Sequence, residues 1–288
     1  MRSFLAATLL ATLLSGTANA EFKRFAAELD EASWKSSQSP LHCSLTQRIP
    51  GFGTAQFSSS NGRPNLKFQL RSDFSLPLAE GPVTMRSLPA AWAVGEAAEE
   101  LGVTPYFNGN NLVQLKDKQA WRMLTELSFG KFPTFFYSQY ADGAHPLTVS
   151  VSAVRFTEGH ENFQRCLRQL LPYTFAEIAK STLYFEFDRV EFTPATKNRL
   201  NQIRNYLKAD SRIDLMVIEG HTDSKGGRWF NFELGRKRTE AVRDYLLEAG
   251  IDPKRVQIKS YGERRPVASN ETEAGQKKNR RVEVTISR

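Results

Sequence analysis

Apolar and polar residues alternate in two stretches of the first half of the chain, residues 66–71 and 147–152, as they do in half-buried strands. Apolar residues recur every three or four positions in two other stretches, 118–128 and 160–171, which is the helical period. Turn-forming Gly, Pro and Asn separate such runs. We therefore predict that residues 21–171 form a mostly-β domain with two helices.

From about residue 172 the pattern changes to strands and helices in turn. Thr193 and Pro194 predict the start of a helix, because Thr caps helices and Pro favours the first helical position. The order strand–helix–strand–helix–strand–strand predicts a small α/β sandwich with a mixed sheet and two main helices over residues 172–288. The predicted strands are 183–187, 213–219, 256–261 and 282–286, and the second helix is 232–249, ended by Gly250. The fold class is therefore α+β.

The first twenty residues predict a secretory signal peptide. Arg2 is followed by an apolar run at 4–14 and by Ala18-Asn19-Ala20, a small-residue cleavage pattern. A membrane anchor or a buried core helix is the alternative, but the run is short for a span. No later stretch has the ~20 apolar residues of a membrane helix. We expect a mature chain that begins at Glu21 in the periplasm.

Export to the periplasm bears on the oxidation state of the two cysteines of the chain, Cys43 and Cys166. In an oxidising compartment two cysteines most simply form one disulfide, and a free buried pair is the alternative. A metal site is not expected, because His42 beside Cys43 has no second ligand pair at finger spacing.

The chain carries 39 Lys and Arg against 31 Asp and Glu, a net charge of +8. Counted on the sequence, residues 173–288 hold 23 basic and 17 acidic residues, so most of the excess lies in the second domain. A basic excess indicates an anionic partner. An exported protein rarely meets nucleic acid, so a cell-wall polymer with free carboxylates is the better candidate and no nucleic acid is expected.

Ordered motifs fill the second domain. They are Gly220-His221-Thr222-Asp223, Gly227, Asn231, Leu234, Arg238, Tyr261-Gly262-Glu263, Pro266, Asn270-Glu271-Thr272 and Asn279-Arg280-Arg281-Val282. Along about 110 residues this pattern resembles the OmpA C-terminal peptidoglycan-binding family. The chain departs from it at Gly235, where the family has Ser, at Thr239, where it has Ala, and at Ser260, where it has Gly.

The resemblance implies a ligand, the peptide stem of peptidoglycan, and a site for it. A diamino acid in that stem presents an amine, which Asp223 could accept, and a carboxylate, which suits the planar fork of Arg238. Taken alone, Asp223 could cap a turn and Arg238 could be a solvated helix charge. By family position Asp188, Thr222, Asn231, Leu234 and Arg281 are further candidates.

No catalytic residue, cofactor or metal is predicted. His221 has no accompanying Ser or Cys nucleophile, so a structural role is expected. The sequence holds no H-E-x-x-H or G-x-S-x-G motif, so a periplasmic wall hydrolase has no support beyond the compartment.

The first domain also carries a resemblance, to the MotY family of sodium-driven polar flagellar motor proteins. It rests on Ile49-Pro50, Phe52-Gly53, Phe57-Ser58-Ser59, Pro133-Thr134-Phe135, the placing of the two cysteines and a junction at 173–179. It implies that residues 21–171 bind the flagellar basal body and a MotX-like partner, and that the protein recruits and anchors stator units. The alternative is an OmpA-type outer-membrane porin-like protein tethered to the wall. The predicted helices within the first domain argue against eight lipid-facing strands.

Overall fold

The structure is a computed structural model, and it describes residues 23–74, 81–106, 109–137, 147–248 and 250–288. The predicted signal peptide and its cleavage site lie outside these ranges.

Fourteen strands and six helices are formed by the described residues. The strands are β1 (Lys23–Phe25), β2 (Trp34–Gln38), β3 (His42–Ile49), β4 (Gly53–Ser60), β5 (Lys67–Ser72), β6 (Pro82–Leu88), β7 (Glu99–Pro105), β8 (Asn111–Lys116), β9 (Phe132–Tyr137), β10 (Leu147–Ser150), β11 (Lys180–Tyr184), β12 (Leu215–His221), β13 (Val256–Gly262) and β14 (Arg281–Ser287). The helices are α1 (Asp117–Ser128), α2 (Phe156–Gln169), α3 (Phe175–Ala179), α4 (Pro194–Ala209), α5 (Arg228–Leu247) and α6 (Glu273–Asn279).

The first ten strands form two five-stranded sheets, ordered β1-β10-β9-β6-β7 and β2-β3-β4-β5-β8. All neighbours are antiparallel except β1, which runs parallel to β10. Apolar side chains of both sheets share one core, where Phe68 of β5 stacks on Phe135 of β9 with ring centroids 5.7 Å apart. The predicted mostly-β region with helices is therefore confirmed.

Helices α1 and α2 close this core with the faces that the helical period predicts. Buried Ala120, Met123, Leu124 and Leu127 lie on α1, and buried Phe163 and Cys166 lie on α2. Helix α2 begins four residues earlier than predicted, at Phe156, which packs edge-on against Trp34. Cys166 forms a disulfide with Cys43 of β3, with 5.9 Å between the two Cα atoms.

The second domain has a four-stranded mixed sheet, ordered β11-β14-β12-β13, in which only β12 and β13 are parallel. Helix α4 starts as predicted, because the Thr193 side chain accepts a hydrogen bond from the Thr196 amide and Pro194 follows. The apolar faces of α4 and α5 cover a second core around Leu200, Ile218 and Val242. The predicted α/β sandwich is confirmed.

Several element boundaries of the second domain differ from those predicted, two of them for a clear structural reason. Strand β11 ends at Tyr184 rather than at 187, because its partner β14 begins at Arg281, opposite Tyr184. Helix α5 begins at Arg228 rather than at 232, with Gly227 as an N-cap that has no side chain to signal it. On that helix Leu234, predicted to face the core, is half-buried instead.

The two cores meet at a hydrogen-bonded junction. The Leu171 amide donates to the Pro40 carbonyl (2.9 Å), and the Leu171 carbonyl accepts from the Gly62 amide (2.8 Å). The Asn61 side-chain amide donates to the Tyr173 carbonyl at 2.6 Å. The chain therefore enters the second domain fixed to the turns that flank β3 and β4. Within the described ranges, no helix has both the length and the hydropathy needed to cross a membrane.

Candidate functional site

A narrow cleft opens where β11 and β12 end and α5 begins. Loops that follow strand ends at such an edge are a common location for ligand sites in α/β sheets. Its cavity volume is about 10 Å³, room for roughly one water molecule. The lining residues are Phe187, Asp188, Thr222, Asp223, Lys225, Phe230, Asn231, Leu234, Arg238 and Arg280. The structure thus brings six of the seven predicted binding residues together.

Arg238 is the most deeply buried cation of this cleft, with 0% of the residue exposed. Its guanidinium donates to the carbonyls of Arg189 (2.8 Å), Glu186 (2.9 Å) and His221 (3.4 Å). Within the described ranges it forms no ion pair with a carboxylate. Burial lowers the pKa of Arg238 to about 10, while the charges of Asp223 and Asp188 oppose that change. The group therefore stays protonated at pH 7.

Three of the five N–H donors of that guanidinium are occupied by these carbonyls. Two N–H donors are left, and the hydrogen bonds to the three carbonyls hold the guanidinium in one orientation. A preorganised fork with free donors is suited to a carboxylate oxygen pair.

Asp223 supplies the negative charge, and it is 3% exposed. Its Oδ2 accepts from Arg280 Nη1 at 2.8 Å, and its Oδ1 accepts from the Lys225 amide at 3.2 Å. A carboxylate has about four acceptor positions. Asp223 can therefore accept a further donor, such as an ammonium group, while its pairing with Arg280 is kept.

Arg280 is a residue of this cleft that the sequence reasoning missed. The motif Asn279-Arg280-Arg281 gave the signal, but Arg281 was chosen. In the structure Arg281 lies outside the cleft, with Nε donating to Glu283 Oε1 at 2.6 Å and Nη2 donating to the Arg265 carbonyl at 3.3 Å. The two side chains point in different directions because Arg280 is the C-cap that follows α6, whereas Arg281 is the first residue of β14.

Polar groups of Thr222 and Asn231 complete the cleft. The Thr222 hydroxyl is buried and has no hydrogen-bond partner among the described residues. Asn231 is 1% exposed, and its Nδ2 donates to Glu263 Oε2 at 2.7 Å. An unpaired buried hydroxyl is costly unless a ligand or water satisfies it.

The rim of the cleft is exposed and partly apolar. Asp188 lies there with a positive φ of 52°, and half-buried Leu234 lines the wall. Phe187, 54% exposed, lies under the Lys225 ammonium group, with 5.6 Å between that nitrogen and the ring centroid. Phe187 and Lys225 are both exposed, so they border the opening without being part of the core.

His221 lies next to the cleft without lining it. It is 3% exposed, and its ring stacks on Tyr261 with centroids 5.4 Å apart. Burial, together with the charge of Arg281, lowers the pKa of His221 to about 4. The imidazole is therefore neutral at pH 7. In the part of the chain that the structure describes, no three His, Cys, Asp or Glu residues are grouped as metal ligands.

Comparison with known proteins first identifies the class of protein domain to which the second domain is similar. Residues 184–280 match the OmpA family model. The chain is 40% identical over 106 residues to a peptidoglycan-associated lipoprotein of Pseudomonas putida, covering 37% of this chain and 63% of that protein. A solved peptidoglycan-associated lipoprotein from Burkholderia pseudomallei is 33% identical, with a TM-score of 0.35, covering 37% of this chain and 89% of that one.

The rest of the chain defines the family more narrowly. Residues 25–172 match the model of the MotY N-terminal domain. Over 269 residues the chain is 34% identical to the sodium-type flagellar protein MotY of Vibrio parahaemolyticus, covering 92% of this chain and 91% of that protein. This chain belongs to the MotY family. Neither matching family model describes a catalytic domain.

Proposed function

We propose that this protein is a non-enzymatic, periplasmic component of a sodium-driven flagellar motor, which binds peptidoglycan through its second domain. The observation that carries the proposal is Arg238, a fully buried cation with unused donors that lies in one cleft with Asp223. Family membership over nearly the whole chain supports the motor context. It also favours this function over that of an outer-membrane porin-like protein.

The ligand is the peptide stem, whose diamino acid carries a carboxylate and an amine. The carboxylate binds the free N–H groups of Arg238, and the amine binds Asp223. The Thr222 hydroxyl, which is unpaired and buried, gains a partner from the same ligand. Asn231, Leu234 and Asp188 shape the cleft, and Arg280 holds Asp223 in place. Arg281 lies outside the cleft, so this proposal gives it no contact with the ligand.

The first domain, which we assign to residues 21–171, binds the flagellar basal body and a MotX-like partner. Residues 172–288 bind the wall, so that the protein recruits stator units and anchors them against a rigid mesh. A signal peptide at 1–20 delivers the chain to the periplasm. The junction around Leu171 and Tyr173 supports this arrangement, because its hydrogen bonds connect the two domains directly.

Sedimentation with purified cell-wall sacculi tests the wall-binding site. Arg238→Lys keeps the positive charge but loses the fork, so we expect binding to weaken at least about tenfold. Thr222→Val removes only the unpaired hydroxyl and weakens binding less. Arg236→Ala is the matched control, because Arg236 lies two positions away on α5, where its exposed side chain pairs with Glu233 and Glu240.

Retention of full binding by Arg238→Lys, with a circular dichroism spectrum like that of the parent, would disprove the proposed site. For the motor role, cells that carry only Arg238→Lys should assemble flagella but swim poorly in soft agar. Cells that carry only Arg236→Ala should swim normally. Normal swimming by both strains contradicts the anchoring role.

A further inference from the structure

A second groove lies beside the cleft, and it is lined by aromatic and charged side chains. Its lining residues are Arg228, Trp229, Phe232, Tyr261, Glu263 and Arg264. The volume is about 410 Å³, within the range of small-ligand sites, whereas the cleft has room for about one water molecule. The proposed function gives this groove no ligand.

Trp229 is the most unusual residue of the groove, because 75% of it is exposed. It stacks on Phe232, one helical turn further along α5, with ring centroids 6.3 Å apart and 29° between the planes. Trp229 therefore presents an aromatic face to solvent, while Phe232 is half-buried and has the Arg264 guanidinium 5.9 Å from its ring centroid. An exposed Trp at the wall of a groove is a typical anchor residue of a binding site.

One hydrogen bond connects the groove to the cleft. Asn231 lines the cleft and Glu263 lines the groove, and Asn231 Nδ2 donates to Glu263 Oε2 at 2.7 Å. In peptidoglycan the peptide stem is attached covalently to a sugar of the glycan strand. A stem that enters the cleft therefore brings its sugars to the surface next to it.

We propose that Trp229 and Phe232 form a glycan subsite that binds N-acetylhexosamine units of the same peptidoglycan strand. One face of a pyranose ring presents C–H groups, which are attracted to the negative face of an aromatic ring. Arg228, Arg264 and Glu263 supply donors and acceptors for the hydroxyl and acetamido groups at the edge of the sugar. This inference rests on the proposed function, since it assigns the stem to the cleft.

The test measures binding of two separate probes to the mature full-length protein by calorimetry. One probe is the N-acetylglucosamine tetramer, which is neutral and has no stem, and the other is the free stem tripeptide, which has no sugar. We expect Trp229→Ala to weaken binding of the tetramer at least about tenfold and that of the tripeptide at most about twofold. Trp229→Phe keeps an aromatic face and should retain most of the tetramer affinity.

Trp92→Ala is the matched control, because Trp92 is 63% exposed and belongs to the first domain. It should leave binding of both probes unchanged. No measurable binding of the tetramer to the parent, or equal tetramer affinity in Trp229→Ala, overturns the inference. The inference is also overturned if Trp229→Ala loses binding to phosphatidylglycerol vesicles but keeps its binding to the tetramer. That result would indicate that the groove binds a membrane surface. Failure of the cleft would show separately, as equal tripeptide affinity in Arg238→Lys and the parent.

Discussion

The two domains bury very different polar groups. In the first domain the buried polar side chains are mainly hydroxyls, and the buried amide of Gln47 bonds to both the backbone amide and the carbonyl of Ser152. Glu126 is its one buried charged residue among those described. In the second domain the buried residues that carry or can carry charge are Asp210, His221, Asp223, Arg238, Arg280 and Arg281.

This difference separates residues that stabilise the protein from residues of the candidate site. Apolar burial and a covalent cross-link stabilise the first domain. The second domain has an apolar core too, but it also buries several charged side chains, and burial of a charge costs free energy unless the charge has partners. Five of its six buried ionisable residues lie in or next to the cleft, and only Asp210 lies at the far end of the sheet. The concentration of buried charge therefore indicates the site independently of family motifs.

Removal of the disulfide should have the largest effect, and only on the first domain. Replacement of both Cys43 and Cys166 by Ser opens a loop of 123 residues in sequence separation. On the chain-entropy relation this lowers the free energy of unfolding by about 4–5 kcal/mol. Urea unfolding followed by circular dichroism measures the loss, and reductant should produce the same loss in the parent. An equal loss from the second domain would contradict the comparison.

Breaking the buried ion pair should destabilise the second domain. Arg280→Ala leaves Asp223 buried without its charged partner, at a cost of about 3–5 kcal/mol. Arg236→Ala removes only exposed pairs and should cost less than about 1 kcal/mol. The same urea titration compares the two variants. Similar losses in both would mean that burial of charge is not what distinguishes this domain.

His221 should make the stability of the second domain depend on pH. Its pKa is about 4 in the folded protein and about 6.5 in an unfolded chain, so the unfolded state binds the proton more tightly. The stability contributed by His221 is therefore complete above pH 6.5 and is lost as the pH falls towards 4, by about 3 kcal/mol in all. Unfolding of the parent between pH 7 and 4.5 should show this decline, and His221→Gln should flatten it. A parallel decline in both proteins would contradict the assignment.

Gly235 and Ser260 offer the smallest and most specific test. A Cβ atom on Gly235 would lie 2.5 Å from Ser260 Oγ, which donates to the Phe232 carbonyl at 2.7 Å. Gly235→Ser should therefore cost about 1–3 kcal/mol. Adding Ser260→Gly should restore most of this loss, and a double-mutant cycle measures the coupling. Additive losses would show that the two positions are independent.

This pair also explains two departures from the family pattern that looked unrelated in the sequence. The family pattern that this chain resembles has Ser at the position of Gly235 and Gly at the position of Ser260. In this chain the side chain that fills the contact between α5 and β13 comes from the strand, at Ser260. A single sequence records the two changes 25 positions apart. Only the packing shows that they occupy one space.

Local signals predicted all four strands and the two main helices of the second domain, but only β5, β10, α1 and α2 of the first domain. Thr193 and Pro194 predicted the start of α4, and apolar spacing predicted α1 and the strands of the second domain. The start of α5 was missed because Gly227 caps it without a side chain, and the end of β11 was missed because it depends on where its partner β14 begins. Boundaries set by a distant segment leave no local pattern.

The site was only partly predictable for a similar reason. Residue types and order, together with the family resemblance, predicted Asp223 and Arg238 as candidate site residues, and the structure places both in one cleft. A helix pattern treats an arginine as a surface residue, so it gave no sign that Arg238 is fully buried. Arg280 and Arg281 are neighbours in sequence, so spacing could not choose between them. The backbone changes from helix to strand between these two residues. As a result, the side chain of Arg280 points towards Asp223.

The disulfide has a mechanical consequence for a chain that is pulled at both ends. Without it, unfolding of residues 43–166 would release about 400 Å of extended chain. With the disulfide in place, force that acts on β3 is transmitted through one covalent bond to α2. The Leu171–Pro40 hydrogen bond lies where the chain leaves the first domain for the second. If the first domain loses its packing under load, the loop between Cys43 and Cys166 stays closed, and only the residues outside that loop can extend.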